Sequence, residues 1–528
     1  MIGAGPAGLS AAVEAAEAGM RVAVFDENAG PGGQLFKQIH KFFGSRDQNA
    51  MIRGFQIGRN LLARAEAAGV EVFLNAPVMG IYKNHEVLVK IEDESVHFKG
   101  DNIIIAAGAA EVMVPFCGWD LPGVMGAGAA QTLMNRHGVL PGRKVLLVGS
   151  GNVGLIVGLQ LLQAGCELVA VLDAAPRVGG YGVHAAKIAR TGVPFLTSTT
   201  ILEAKGDGKV EKAVIRKVDS RFQVIPGTER ELDVDTILMA VGLSPMTQLA
   251  SCAGCDVEYS DQTGRLSCIT VTDEFCETTV AGIYCCGDFR METAEGASSA
   301  ILQGQIAASH IAEQAGYITG EECGARIAKC QETLRQMSGG MFSVKNKGRV
   351  DPTETDEGYP ISRSLLERGY IAEEELQNYP AASYEAEGVH PVIECVQNIP
   401  CNPCRDMCAR KCILVNGDIT NIPLVDQTKK CVGCGLCVAN CPGQSIFLID
   451  KTSIPDYAAV SIPYEFLPLP EEGQKGTGLD RSGAPVCDAL VMSVKTSPAM
   501  DKTAVLTMKV PLKYADSVRF FKAEGGAE

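Results

Sequence analysis

Three glycines at one fixed spacing occur twice in this chain, and few folds accommodate that pattern. Gly3, Gly5 and Gly8 open a helical run over 9–18, then a strand over 21–25 and Asp26. Gly149, Gly151 and Gly154 follow a strand over 144–148 and lead into a helix reaching 162, a strand over 167–172 and Asp173. Each set reads as a strand–helix–strand unit. The glycines permit a tight turn and close approach to a pyrophosphate, the helix N-terminus presents N–H groups to it, and the acid accepts ribose hydroxyls. Two units imply two nucleotides. An acid at the end of the second strand repels a 2'-phosphate, so NAD(H) is expected over NADP(H), although Arg177 lies close enough to weaken that preference. A vestigial or structural second site stays open, because the spacing specifies the loop and not its occupant. A strand over 236–241 ending at Gly242 returns the chain to the first unit.

The first unit poses a problem of its own. A strand of about five residues should precede such a loop, yet only Met1 and Ile2 stand before Gly3. A misassigned or truncated start is the expectation, with another segment completing the sheet as the alternative. No basic or apolar leader is seen, so a reducing cytoplasm is expected. The most apolar stretch, 145–172, is interrupted by Ser150, Asn152, Gln160, Gln163 and Glu167, and reads as buried strand and helix instead of a membrane span.

At 528 residues the chain should hold three to four domains at ~150 residues each. Its 47 basic and 62 acidic residues leave a net charge of -15, which argues against nucleic acid or an anionic membrane as partner. Its 20 cysteines are unevenly spread, with nine between Cys395 and Cys441. Such crowding in a large non-secreted chain points to metal and not to disulfides.

Cys431, Cys434, Cys437 and Cys441 followed by Pro442 form CxxCxxCxxxCP, the run of bacterial two-cluster ferredoxins. Upstream stand Cys401, Cys404, Cys408 and Cys412, with a middle gap of three and Ile413 in place of proline. Eight thiolates suit two 4Fe-4S clusters, and in ferredoxins the fourth cysteine of each run serves the other cluster. Cys401, Cys404, Cys408 and Cys441 are therefore expected to hold one, and Cys431, Cys434, Cys437 and Cys412 the second. Zinc also binds CxxC pairs, but it does not explain a tight triplet plus Cys-Pro. Cys395 is left as a core thiol. Residues 413–415 and 445–448 fit the short strands of a ferredoxin fold.

Three further features accompany the first glycine unit. They are Gly32-Gly33-Gln34, an apolar strand over 103–105 running into Ala106-Ala107-Gly108, and a strand Ile283-Tyr284-Cys285-Cys286 ending in Gly287-Asp288. This set resembles the two-dinucleotide-binding flavoproteins, of glutathione-reductase-like architecture. The resemblance implies FAD in the first unit, Asp288 hydrogen-bonded to its ribityl chain, and a helix starting near Gly296 aimed at the flavin. Disulfide reductases on this scaffold carry a redox CxxC beside the flavin. Cys252 with Cys255, and the adjacent Cys285 and Cys286, do not sit where it is needed, and both pairs read as buried thiols. The stretch Pro115-Phe116-Cys117-Gly118-Trp119-Asp120-Leu121-Pro122-Gly123-Val124-Met125, continuing through Ala127-Gly128-Ala129-Ala130-Gln131, narrows the likeness. Over about 330 residues the chain resembles the flavoprotein subunits of the hydrogen cyanide synthase, opine oxidase and dye-linked proline dehydrogenase group. The resemblance implies a partner subunit with its own flavin that oxidises a C–N bond, while this subunit passes electrons onward.

The expected fold class is α/β, with two Rossmann-like dinucleotide-binding domains, an α+β ferredoxin domain and a small C-terminal β-rich domain. The FAD-binding domain takes 1–115 and 246–330, an inserted NAD(P)-binding domain 116–245, a helical linker 331–390, the two-cluster domain 391–450 and the β-rich domain 451–528. No side chain is singled out as general acid, base or nucleophile, since hydride transfer needs alignment more than such groups. The leading reading is an FAD-dependent electron-transfer subunit of an amine or imino-acid dehydrogenase complex. Its partners would be a ferredoxin-like or other one-electron acceptor and a second flavin-containing subunit. An NAD(P)H-dependent oxidoreductase exchanging electrons with ferredoxin or a partner enzyme, and a non-catalytic electron-relay scaffold, are the alternatives.

Overall fold

The computed structural model describes residues 1–260, 267–290, 296–339 and 355–524. The chain divides into two compact units, Met1–Ala110 with Leu243–Asp351 and Glu111–Gly242 with Pro352–Glu528.

In the first unit, parallel strands are built on Ala23–Phe25, Glu71–Phe73, Ile103–Ile105 and Ile283–Cys285. Ile2 bridges Phe25 on one side and Ile105 on the other, so the two residues before the glycine loop join the sheet at its centre. Side chains of a strand alternate between faces. Ile104 accordingly packs with the helices Pro6–Glu17, Gly54–Ala67 and Ala297–Gln314. Ile103 and Ile105 turn the other way, onto Val87 and Val89 of the antiparallel sheet Val78–Tyr82, Glu86–Ile91 and Glu94–Lys99. The helices Pro6–Glu17 and Ala297–Gln314 meet at Gly304, where a Cβ would run into the Ala7 carbonyl.

The second unit opens with the same three layers. Its parallel sheet runs in the order Phe195–Leu196, Glu167–Leu172, Lys144–Val148, Thr236–Met239, Val124–Gly126. Leu147 faces helices on one side, while Leu146 and Val148 face the antiparallel sheet Thr199–Lys205, Lys212–Lys217 and Arg230–Asp233 on the other.

The rest of this unit holds the cysteine-rich segment and a seven-stranded antiparallel sheet. Two strand–helix–strand repeats carry the cysteines: His390–Ile393, Pro403–Met407, Ile413–Leu414, and then Leu424–Val425, Leu436–Asn440, Ile446–Ile454. The inner strands pair with each other and the outer strands pair with each other.

Two expected boundaries need correction. Ile446–Ile454 runs through position 450, and both outer strands belong to the seven-stranded sheet with Tyr457–Tyr464, Ala504–Pro511, Pro485–Lys495, Lys475–Leu479 and Phe520–Ala523. The cysteine segment and the C-terminal strands therefore share one sheet, held by the core around Phe447, Val460 and Leu506. The linker boundary at 330 falls inside the helix Gly320–Met337, whose Cys323 and Ile327 complete the core of the first unit. Of the expected linker, 340–354 lies outside the described residues; the remainder is short helical turns at Arg363–Arg368 and Glu373–Asn378.

Candidate functional site

The first glycine loop is shaped by what each glycine faces. Gly3 has φ +99°, and a Cβ there would strike the Ala106 carbonyl; one at Gly8 would strike the carbonyl of Gly3. Gly5 differs, for nothing stands within 4 Å of its Cβ position. It is the N-cap of Pro6–Glu17, a helix start with proline in its first turn and no side-chain cap. This is the open, N–H-lined cradle that a pyrophosphate requires. Around it the sheet delivers the remaining sequence-derived residues. A Cβ on Gly33 would lie 2.9 Å from Gly5 Cα, and one on Gly287 would lie 3.1 Å from Ala7 Cβ. Ala107 and Gly108 follow Ala106 beside Gly3, and Gln34 is exposed next to Gly33.

Asp26 is buried, and its carboxylate accepts from Ala4 N (2.6 Å), Asn28 N (2.8 Å) and Asn28 Nδ2 (2.9 Å). The acid expected to meet a ribose thus also fixes the glycine turn. Burial alone pushes the Asp288 carboxyl up from its usual range. The helix Ala297–Gln314 starts at Gly296 without a side-chain cap.

The second loop repeats these relations. Gly149, at φ +107°, lies against Ala240, Gly154 lies against Gly149, and Gly151 faces open space at the uncapped start of Asn152–Gln163. Asp173 accepts from Ser150 N (2.9 Å), Ser150 Oγ and Ala175 N (2.9 Å). Gly242, at φ +125°, ends the segment after Thr236–Met239. Both loops therefore fit a dinucleotide. A third helix start, at Ala127–His137, is already taken: Glu111 accepts from Gly128 N (2.6 Å) and Ala129 N (3.1 Å).

In the cysteine repeats, backbone N–H groups point at sulfur: Cys412 N at Cys408 Sγ (3.2 Å), Gly433 N at Cys431 Sγ (3.4 Å) and Ser445 N at Cys441 Sγ (3.5 Å). Donors of this kind stabilise thiolates and tune clusters. The thiols are mutual neighbours. Burial, then Cys441, pushes Cys404 up to about 12; burial, then Cys408 and Cys431, pushes Cys412 up to about 11. Cys437 is raised by burial and then by Cys431, Cys434, Cys408 and Cys404. Crowded thiols without a cation resist ionisation, and metal would release their protons. As placed, no three His, Cys, Asp or Glu side chains among the described residues converge on one metal position. Cys401 is half-buried, while Cys434 is exposed with Val432 beside it. Cys395, expected only as a core thiol, is close enough to Cys441 and Cys404 to be raised by both.

Sequence reasoning missed a set of buried charges here. Glu394 Oε1 accepts from Arg481 Nε (2.9 Å), Arg481 Nη2 (2.6 Å) and Arg519 Nε (2.6 Å). Burial opposes its ionisation, yet the two guanidiniums hold it down at about 2. No local signal announced them: Arg481 stands in the polar turn Asp480-Arg481-Ser482-Gly483, and Arg519 lies between Val518 and Phe520. One expectation on cysteines is corrected, since Cys252 is exposed, whereas Cys255, Cys285 and Cys286 are buried.

Residues 1–316 match the family of pyridine nucleotide-disulphide oxidoreductases. The chain belongs to that family. It is an FAD-dependent oxidoreductase. Among curated relatives it is 31% identical over 340 residues to the A subunit of opine oxidase from Agrobacterium tumefaciens, covering 58% of this chain and 64% of that one. It is 27% identical over 335 residues to hydrogen cyanide synthase subunit HcnB of Pseudomonas aeruginosa, covering 59% and 70%. The alpha subunit of sarcosine oxidase from Rhizobium meliloti is 30% identical over 264 residues, 47% of this chain and 25% of that one. The chain thus spans less than two thirds of the length of the Agrobacterium opine oxidase subunit. Among solved structures, T. acidophilum thioredoxin reductase superposes with a TM-score of 0.49 at 21% identity, covering 60% of this chain and 97% of that one. No helix among the described residues is long and apolar enough to cross a membrane.

Proposed function

We propose that this chain is the electron-transfer subunit of an amino-acid or amine dehydrogenase complex acting on a proline-, sarcosine- or opine-like substrate. Its cofactors are FAD and two 4Fe-4S clusters on a ferredoxin-type domain. The observation that carries this reading is that two strand–helix–strand repeats, bearing five and four cysteines, stand in one chain with an open FAD-type glycine loop. When bound, FAD supplies exchange between electron pairs and single electrons, and 4Fe-4S clusters supply one-electron transfer.

The chain's own residues divide the work. Gly5 and the first turn of Pro6–Glu17 receive the pyrophosphate, Asp26 the ribose and Asp288 the ribityl hydroxyls. Cys401, Cys404, Cys408 and Cys441 hold one cluster, and Cys431, Cys434, Cys437 and Cys412 the other. The exposed Cys434 puts the second set within reach of a one-electron acceptor at the surface. The relatives named as oxidase subunits support assembly with a second subunit, which in this reading carries its own flavin and is the electron source.

A second reading, an NAD(P)H-dependent oxidoreductase, is favoured by one observation: Gly151 faces open space as Gly5 does, and Asp173 is latched as Asp26 is. Anaerobic bleaching of the flavin separates the two. Reduction by proline, sarcosine or an opine only with the partner subunit present supports the first reading. Reduction of the isolated chain by NADH supports the second, and no reduction by any donor favours a relay scaffold.

A further inference from the structure

The helix Gly182–Ala189 belongs to the second nucleotide fold, yet its last turn is buried against the cysteine-rich segment of the same unit. Lys187 Nζ donates to the Pro442 carbonyl (2.7 Å), and Arg190 Nη2 donates to that of Gln444 (3.0 Å). These two carbonyls flank the stretch immediately after Cys441, whose sulfur accepts from Ser445 N. Arg190 also lies over the Phe447 ring at 5.6 Å, and Arg519 lies over the same ring at 4.8 Å.

The charges here are unequal. Arg190, Arg481 and Arg519 are 5%, 7% and 1% exposed. Among the described residues, the Glu394 carboxylate beside them is already bonded to Arg481 and Arg519. Asp516 also acts on Arg519, but it is half-exposed and paired with Lys451. Burying a guanidinium is costly unless an anion faces it. The groups that favour a charge on Arg190 are Glu394, shared with two other arginines, and the Cys441 sulfur.

We propose that Arg190, carried by the second nucleotide fold, is the counter-charge of the iron–sulfur site that uses Cys441 and raises the reduction potential of that site. The proposal rests on the iron–sulfur reading given above. One-electron reduction adds one negative charge to a site already holding four thiolates, so a fixed buried cation stabilises the reduced form over the oxidised one. Cluster potentials respond to this kind of charge and hydrogen bonding. Arg190 is a positioning residue in this role, since it acts through Cys441 and its flanking backbone.

The test is a potentiometric titration of the full chain followed by EPR, with iron and acid-labile sulfide measured on each sample. In Arg190→Gln, the midpoint of one cluster moves to more negative values while that of the other stays. Arg190→Lys, which keeps the charge, restores most of the difference. If Arg190→Gln does not accumulate folded, Lys187→Met gives the decisive measurement and shifts the same midpoint in the same direction by less. Two unmoved midpoints at full iron content overturn the proposal and leave the iron–sulfur reading intact. Wild-type protein without iron and sulfide overturns that reading itself, and the proposal with it.

Discussion

At the scale of single residues, the glycines of one loop do different jobs and should fail differently. Gly3→Ala forces a Cβ into the Ala106 carbonyl at φ +99° and should cost about 1–3 kcal/mol, read as a lower midpoint in chemical denaturation. Gly5→Ala adds a Cβ with no protein atom within 4 Å, so stability should hold while flavin occupancy of the purified protein falls. Asp288→Ala should also lower flavin occupancy; an unchanged flavin spectrum would contradict its role. Glu394→Gln leaves two buried arginines without their carboxylate and should destabilise by about 3–5 kcal/mol. The pH dependence follows from its depressed pKa. The stabilisation is complete above about 4.3, the value in an unfolded chain, and is lost as pH falls towards about 2. Melting temperatures of wild type and variant should therefore converge on acidification. The glycines and Asp26 were legible because their spacing is itself the constraint. Glu394, Arg190, Arg481 and Arg519 were not, because their pairing spans 87 to 125 positions within the Glu394 pairs alone and no local pattern announces it.

At the scale of elements, each expected nucleotide fold has its strand–helix–strand unit, since period-two burial at Ile103, Ile104 and Ile105 and the glycine turn dictate the same geometry. Before Gly3 there is a bridging residue and no full strand. Ile2 needs only two backbone-paired neighbours, Phe25 and Ile105, to join a sheet, and these come from distant parts of the chain. The second cysteine repeat offers the direct test at this scale. Cys431→Ser removes one thiol beside Cys412 and Cys437; if the proposed clusters carry the electrons, it should leave FAD bound and abolish reduction of a one-electron acceptor. Full retention of that reduction, measured against an unchanged flavin spectrum, would sink the relay function of the clusters.

At the scale of the whole molecule, the family is set by residues 1–316, and the functional question turns on the cysteine-rich segment beyond them. Co-purification with a second flavin subunit should make the flavin reducible by an imino or amino acid that leaves the isolated chain oxidised, as followed by its visible absorbance. The shared seven-stranded sheet bears on how such a chain can be divided. A stop codon after position 450 would sever Ile446–Ile454 in mid-strand, strip Arg481 and Arg519 from Glu394, and leave a hydrophobic strand edge open to pairing with other chains. A gene for the cysteine-rich segment alone would therefore yield aggregate, and the smallest expressible piece must extend through Phe520–Ala523. Heredity as well as engineering meets this constraint: the segment cannot be lost or exchanged by recombination at its apparent border without carrying the C-terminal strands along.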